Sequence, residues 1–115
     1  MSCLFSSLAV FLKIDDYTIR QKICDYFESN LPIMEGIDTK LILDLEDPNY
    51  IQKMRQTHIW GGSNEIKAAC NIWKLKIRVH MQPTKRVTEF LPLNETFQET
   101  INIHWNGSHY DPLRM

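Results

Sequence analysis

WGGSNEIKAACNIWKLKIRV, residues 60–79, changes its periodicity part-way along. The Gly-Gly pair at 61–62 ends any preceding helix. Over residues 63–73 the apolar side chains then recur at the spacing of an amphipathic helix. Over residues 75–79 they alternate with charged side chains, which is typical of a half-buried strand. The segment therefore predicts a helix followed directly by a strand.

Upstream of this segment the apolar pattern is helical. Residues 3–13 carry an apolar stripe, and the acidic pair at 15–16 is typical of the N-cap of a second helix that ends before Pro32. Asp47-Pro48 predicts the start of a further short helix. The leucines within residues 33–47 fit either a short extended segment or a helix.

Downstream of the segment the pattern is that of strands. Residues 101–105 alternate between apolar and polar side chains, and residues 87–90 form a weaker strand candidate. Asn106-Gly107 is a strong turn signal, and Pro112 restricts any strand that follows it to the edge of a sheet. Helices thus fill the first two-thirds and strands the last third, which predicts one α+β domain over residues 1–115.

Composition narrows the function. The chain has 115 residues, 43% of them hydrophobic and 23% charged, as in an ordinary globular domain. Its formal net charge is −1 and it has no basic block, so we expect no nucleic-acid partner. The odd number of cysteines favours reduced thiols and a cytoplasmic location over a disulfide framework.

The apolar start of the chain raises the question of export. No Lys or Arg precedes the run over residues 3–12, and Ile14-Asp15-Asp16 is a poor cleavage site, so a signal peptide is disfavoured. The run is also shorter than the roughly 20 residues that span a bilayer, so we expect no membrane association. A secreted glycoprotein remains an alternative because sequons begin at Asn94 and Asn106.

Thiol chemistry is the reaction type that the residues support. The four histidines lack the close paired spacing of a zinc site, and there is no phosphate-binding glycine motif, so we expect no metal and no cofactor. Cys3 would lie at a helix N-terminus, where the macrodipole and free N–H groups favour a thiolate. Cys24 and Cys70 fall beside apolar stripes and are predicted to be core thiols, a reading that also remains open for Cys3.

A general base for Cys3 is available near the end of the chain. His109 follows the predicted turn and should stand at a strand edge. Asp111 lies two residues later, so in an extended segment it would point to the same side and could orient the imidazole. The alternative interpretation is that residues 109–111 are only a polar turn.

These residues resemble a known family. Four stretches are similar, in this order, to the ovarian tumour (OTU) family of cysteine proteases. They are CLF opening an apolar helix, IRQKICDYFESN, WGGSNEIKAA before a strand, and HYDPL at the end. The resemblance covers almost the whole chain. It implies a papain-related cysteine protease fold with a small β-sheet flanked by helices, and hydrolysis of isopeptide bonds at the C-terminus of ubiquitin or a ubiquitin-like modifier. We expect such conjugates as partners of a monomer.

The resemblance assigns roles residue by residue. Cys3 matches the nucleophile, His109 the general base and Asp111 the acid two residues after it. Backbone N–H groups of Ser2 and Cys3 would hold the oxyanion. The Trp-Gly-Gly turn at 60–62 is interpreted as structural.

Substrate contacts are predicted for the turn before the histidine. Trp105, Asn106, Gly107 and Ser108 would form one wall of a channel for the Gly-Gly tail of the modifier. The alternative for Trp105 is simple packing beneath the sheet.

The start of the chain departs from the family pattern. An Asp-Gly-x sequence normally precedes the nucleophile, but here Met1 stands at the Gly position and Ser2 at x. We therefore expect either a shortened N-terminal edge or a minimal, compact member of viral type with reduced activity. The alternative function is a catalytically impaired OTU-like module that binds ubiquitin or another protein.

Overall fold

The structure, a computed structural model, describes residues 3–113. Within this range a run of helices precedes a run of strands, which confirms the predicted α+β order. The elements are α1 (Cys3–Leu12), α2 (Asp16–Glu28), α3 (Thr39–Glu46), α4 (Tyr50–Met54), α5 (Ser63–Trp73), β1 (Leu75–Met81), β2 (Val87–Phe90), β3 (Glu99–Trp105) and β4 (Tyr110–Pro112).

The predicted helix boundaries follow local hydrogen bonding. The Asp15 carboxylate accepts from the Thr18 backbone N–H at 2.9 Å, so it caps α2 as its sequence position suggests. At the other end of α2, Asn30 adopts a left-handed φ of 55°. This is a conformation that Asn tolerates and that terminates helices.

The ambiguous segment is helical between residues 39 and 46. Leu43 is buried in the core, whereas Leu41 and Leu45 are exposed. The alternation of these three leucines therefore does not mark a strand, because only the central one faces the interior. The helix is short and its leucines do not follow a single stripe, which explains why its pattern could not be assigned.

The transition after α5 occurs where it was predicted. Lys74 takes a left-handed conformation with φ 57°, which ends the helix and lets β1 begin at Leu75. Leu75, Ile77 and Val79 point into the core, while the intervening residues are half-buried. The alternating pattern over residues 75–79 is thus a one-sided strand.

The four strands form one mixed sheet in the order β2-β1-β3-β4. β1 and β3 are parallel neighbours in the centre, and β2 and β4 pair antiparallel with them at the two edges. The helices flank this sheet: α5 packs against β1, and α1 lies beside the edge strand β4. This packing brings the beginning of the described chain next to its end.

A buried arginine helps to join the helices. Arg20 is 1% exposed, and its guanidinium lies 4.2 Å from the centre of the Phe5 ring. It also donates to the backbone carbonyls of Met54 and Thr57, at 2.8 and 3.2 Å. The contacts satisfy a buried charge and tie α1, α2 and the end of α4 together. No helix within residues 3–113 combines the length and apolar character needed to cross a bilayer.

Candidate active site

Cys3 lies at the start of α1, against the free edge of β4. The backbone N–H of Tyr110 is directed at Cys3 Sγ, with an N–S distance of 3.4 Å. The register explains this direction. Two residue pairs at the ends of the β3–β4 pairing are hydrogen-bonded. The Asn106 N–H donates to the His109 carbonyl at 3.1 Å, and the Leu113 N–H donates to the Asn102 carbonyl at 2.9 Å. The intervening Trp105–Tyr110 pair is therefore not hydrogen-bonded, and the Tyr110 N–H points outward toward α1.

His109 stands directly before β4, on the surface. Its backbone N–H donates to Asn106 Oδ1 at 2.8 Å. Its imidazole packs against the indole of Trp60, with ring centres 5.3 Å apart and planes inclined by 44°. The histidine is thus held through its backbone on one side and through its ring on the other.

The Asn106 side chain organises the turn that presents His109. Besides the histidine N–H, its Oδ1 accepts from the Ser108 backbone N–H at 3.0 Å and from Ser108 Oγ at 3.3 Å. Gly107 has a φ of 103°, which a glycine adopts without strain. The side-chain carbonyl of Asn106 therefore works within the turn. Trp105 is half-buried against the core, with its ring 6.2 Å from that of Tyr110.

The Trp-Gly-Gly turn reaches the site because its backbone at Gly61 packs closely against α1. A Cβ at this position would come within 2.9 Å of both Leu4 Cδ2 and Phe5 Cζ. Only a residue without a side chain lets the turn pack this tightly on α1. Trp60, one residue earlier, is thereby placed on the ring of His109, so this turn forms part of the candidate site as well as being structural.

The buried carboxyl group of Glu65 accepts a hydrogen bond from the other end of this turn. Glu65 Oε1 accepts from the Gly62 backbone N–H at 2.6 Å, and Oε2 accepts from the Tyr50 hydroxyl at 2.5 Å. Glu65 is fully buried, and burial raises its pKa from 4.5 to about 7. The two hydrogen bonds oppose this by favouring the charged form, but desolvation is the larger effect.

The predicted contacts of two site residues, Asp111 and Ser2, are not part of the described structure. Asp111 is exposed on β4, opposite His104 of β3. Among the hydrogen bonds within residues 3–113, none joins its carboxylate to the His109 ring. Ser2, predicted to supply an oxyanion N–H, lies outside the described residues.

Comparison with protein families gives a match over nearly the whole chain. The model of the OTU-like cysteine protease family matches residues 2–111. The chain belongs to this family. A comparison with curated protein sequences gives no match.

Solved OTU domains have the same fold. An OTU domain determined in complex with ubiquitin superposes with a TM-score of 0.77 at 26% identity, covering 96% of this chain and 62% of that one. The OTUD1 OTU domain gives 0.69 at 18% identity, with 96% and 77% covered. The viral OTU protease of Dera Ghazi Khan virus gives 0.73 at 18% identity, with 97% and 73% covered. The chain thus spans 62% of the length of the ubiquitin-bound OTU domain.

The three thiols of this OTU domain differ sharply in their surroundings. All three are free, but Cys24 and Cys70 are completely buried, as predicted. Burial raises the pKa of each of these two thiols to about 12, so both are protonated at neutral pH. Cys3 alone among them is partly exposed. Within residues 3–113, no cluster of three or more His, Cys, Asp or Glu side chains is arranged to hold a metal ion.

Sequence reasoning missed two participants in this OTU site. Trp60 was assigned only a structural role, yet its ring contacts His109. Glu65 lies within the helix predicted over residues 63–73, and its side chain reaches back to Gly62. A glutamate three residues after an N-cap residue is a known capping pattern and could have indicated the second contact.

Proposed function

We propose that this protein is a thiol hydrolase that cleaves isopeptide bonds at the C-terminus of ubiquitin or a ubiquitin-like modifier. Cys3 is the nucleophile, His109 the general base and Asp111 the group that orients the imidazole. The observation that carries the proposal is the contact between Tyr110 N–H and Cys3 Sγ, which brings the thiol next to the residue that follows His109. Family membership and an OTU relative solved with ubiquitin support the reaction type and the partner.

The first chemical step is attack by the thiol. His109 takes the proton of Cys3, and the resulting thiolate adds to the carbonyl carbon of the terminal glycine of the modifier. The Tyr110 N–H stabilises negative charge on the sulfur. Backbone N–H groups of Ser2 and Cys3 hold the oxyanion that forms on the carbonyl oxygen.

The second step releases the products. The carbon–nitrogen bond breaks, and the imidazolium of His109 gives its proton to the departing lysine amine. A thioester then links Cys3 to the modifier. Water, deprotonated by His109, attacks this thioester and regenerates the free thiol with the carboxylate of the modifier.

The acid of the proposed triad needs a change of side-chain orientation. Asp111 is exposed, so rotation about its side-chain bonds is unobstructed by core packing while Trp60 holds the His109 ring. Catalytic hydrogen bonds are often formed only when substrate is bound. We propose that binding of the modifier tail brings the Asp111 carboxylate onto the imidazole.

A second candidate function is a binding module without turnover. The missing hydrogen bond between His109 and Asp111 favours it, because an imidazole without a carboxylate partner lacks the group that fixes its tautomer and stabilises its charged form. In this case the protein would bind ubiquitin or another protein through the same face and leave its conjugates intact.

The remaining proposals concern the setting in which the protein works. The three free thiols support a reducing compartment such as the cytoplasm. We propose a monomer that acts on modifier conjugates and does not use nucleic acid or membrane partners.

A ubiquitin C-terminal electrophile tests the proposal directly. We expect one covalent adduct per chain in the wild type, in Cys24→Ala and in Cys70→Ala, and none in Cys3→Ala. The two buried cysteines are matched controls because they test whether labelling is specific to the accessible thiol. Measurable ubiquitin affinity together with no adduct, for ubiquitin and ubiquitin-like electrophiles alike, would support the binding module instead.

A further inference from the structure

Glu65 is a buried acidic residue that the proposed chemistry does not use. Its side chain is completely removed from solvent, although it lies only one turn into α5. Burial of a carboxyl group is costly unless both oxygens find donors. The arrangement of those donors therefore indicates what the residue does.

The two donors come from different parts of the chain. The Gly62 N–H reaches Oε1 from the Trp-Gly-Gly turn, and the Tyr50 hydroxyl reaches Oε2 from α4. Both distances are short, at 2.6 and 2.5 Å, as in hydrogen bonds to charged or strongly polar acceptors. Glu65 thus joins the turn to a helix that belongs to the core.

The Trp-Gly-Gly turn over residues 60–62 also contacts His109, the proposed general base. Gly61 packs on Leu4 and Phe5 with no space for a side chain, and Trp60 then rests on the imidazole of His109. Three consecutive residues therefore connect the Glu65 carboxyl group to the His109 ring. A displacement of Gly62 would move Trp60, which is half exposed.

We propose that Glu65 is a positioning residue for His109. By holding the Gly62 N–H from α5, it fixes the turn over residues 60–62 so that the Trp60 ring stays on the imidazole. This role depends on the length of the side chain and not on its charge, because a carboxylate oxygen or a neutral carbonyl oxygen at the end of an equally long side chain accepts the same hydrogen bond. The consequence for catalysis rests on the proposed function, whereas the ring contact itself does not.

Two variants separate reach from charge. Glu65→Gln keeps the length and removes the ionisable group, and Glu65→Asp keeps the carboxyl group but is one methylene too short to reach both donors. Glu99→Asp, an exposed glutamate at the start of β3, controls for the substitution itself.

Fluorine NMR of protein labelled with 5-fluorotryptophan reads out the ring contact. Trp60→Phe assigns the resonance, and His109→Gln gives its value without the imidazole. We expect Glu65→Gln and Glu99→Asp to keep the wild-type Trp60 shift, and Glu65→Asp to move at least halfway toward the His109→Gln value. In turnover of a modifier conjugate, Glu65→Asp should lose about 10- to 100-fold in kcat, as misplaced catalytic groups do, with KM little changed.

The outcomes distinguish this proposal from the proposed function. The fluorine shift needs no substrate, so it remains informative if no conjugate is cleaved. A wild-type Trp60 shift in Glu65→Asp, or a displaced one in Glu65→Gln, would overturn the positioning role. If circular dichroism shows that Glu65→Asp does not fold, amide hydrogen exchange in the wild type tests the proposal instead. The Gly62 N–H should exchange as slowly as the N–H groups inside α5, and rapid exchange would refute its hydrogen bond to Glu65.

Discussion

Replacing Glu65 with Gln should change how the stability of the protein depends on pH. Burial raises the pKa of Glu65 from 4.5 to about 7 in the folded chain. At about 1.4 kcal/mol for each pH unit, this difference corresponds to about 3 kcal/mol.

The sign follows from where the proton is held. Between pH 4.5 and 7 the folded protein keeps the Glu65 proton while the unfolded chain releases it, so ionisation stabilises the unfolded state. The contribution to stability is fully present below pH 4.5 and is lost as the pH rises through about 7. Glutamine does not titrate, so the variant lacks this decrease.

Other charged groups face Glu65 but are common to both proteins. Glu46 on α3 and Arg20 on α2 interact with it electrostatically, as do Tyr50 on α4 and Tyr110 on β4. Their effects on each protein's own pH profile largely cancel in the comparison. The difference between the two proteins therefore isolates the Glu65 carboxyl group.

Urea unfolding, followed by circular dichroism at steps from pH 4.5 to 7.5, measures this difference. The free energy of unfolding of Glu65→Gln minus that of the wild type should increase by about 3 kcal/mol across the series. A constant difference would mean that Glu65 does not titrate in this range. A decreasing difference would refute the reasoning, because it would show that the hydrogen bonds from Tyr50 and Gly62 outweigh desolvation.

Three further substitutions test the support of the site. Gly61→Ala should lower the free energy of unfolding by about 1–3 kcal/mol in urea titrations, because its Cβ would meet Leu4 and Phe5 at 2.9 Å; an unchanged midpoint would contradict the close approach. Arg20→Met should cost about 1–3 kcal/mol in the same assay, since the buried Met54 carbonyl and the partly buried Thr57 carbonyl lose their donor, and a neutral result would count against this role. Asn106→Ala should slow conjugate turnover at least about 10-fold while changing stability by about 1 kcal/mol or less, because an exposed turn that orients His109 loses its acceptor; normal turnover would show that the turn holds without it.

Local patterns predicted most of the fold. The change of period after residue 74 and the acidic cap at Asp15 depend on neighbouring residues, and both were located correctly. The pattern over residues 39–46 does not distinguish a helix from an extended segment, because Leu41 and Leu45 are exposed and the leucines do not mark a single buried face. Burial of this kind is set by tertiary packing and not by local sequence.

The site was less accessible to sequence reasoning because its contacts are long-range. Cys3 and Tyr110 are 107 residues apart, and their contact depends on which N–H groups of the edge strand β4 point outward. Family resemblance suggested the pairing, but not the geometry. The Trp60–His109 contact depends on the lack of a side chain at Gly61, and its cause lies in α1.

Cleavage of an isopeptide-linked conjugate tests the central claim most directly. The substrate is ubiquitin, or a ubiquitin-like modifier, joined through its C-terminus to the lysine of a fluorescent peptide, and release of the peptide is followed by polarisation. We predict turnover by the wild type and by Cys24→Ala, none by Cys3→Ala or His109→Gln, and a thioester of the modifier on Cys3 in rapidly quenched samples. Turnover that survives in Cys3→Ala, or no turnover of any such conjugate by the folded wild type, would contradict a Cys3–His109 hydrolase.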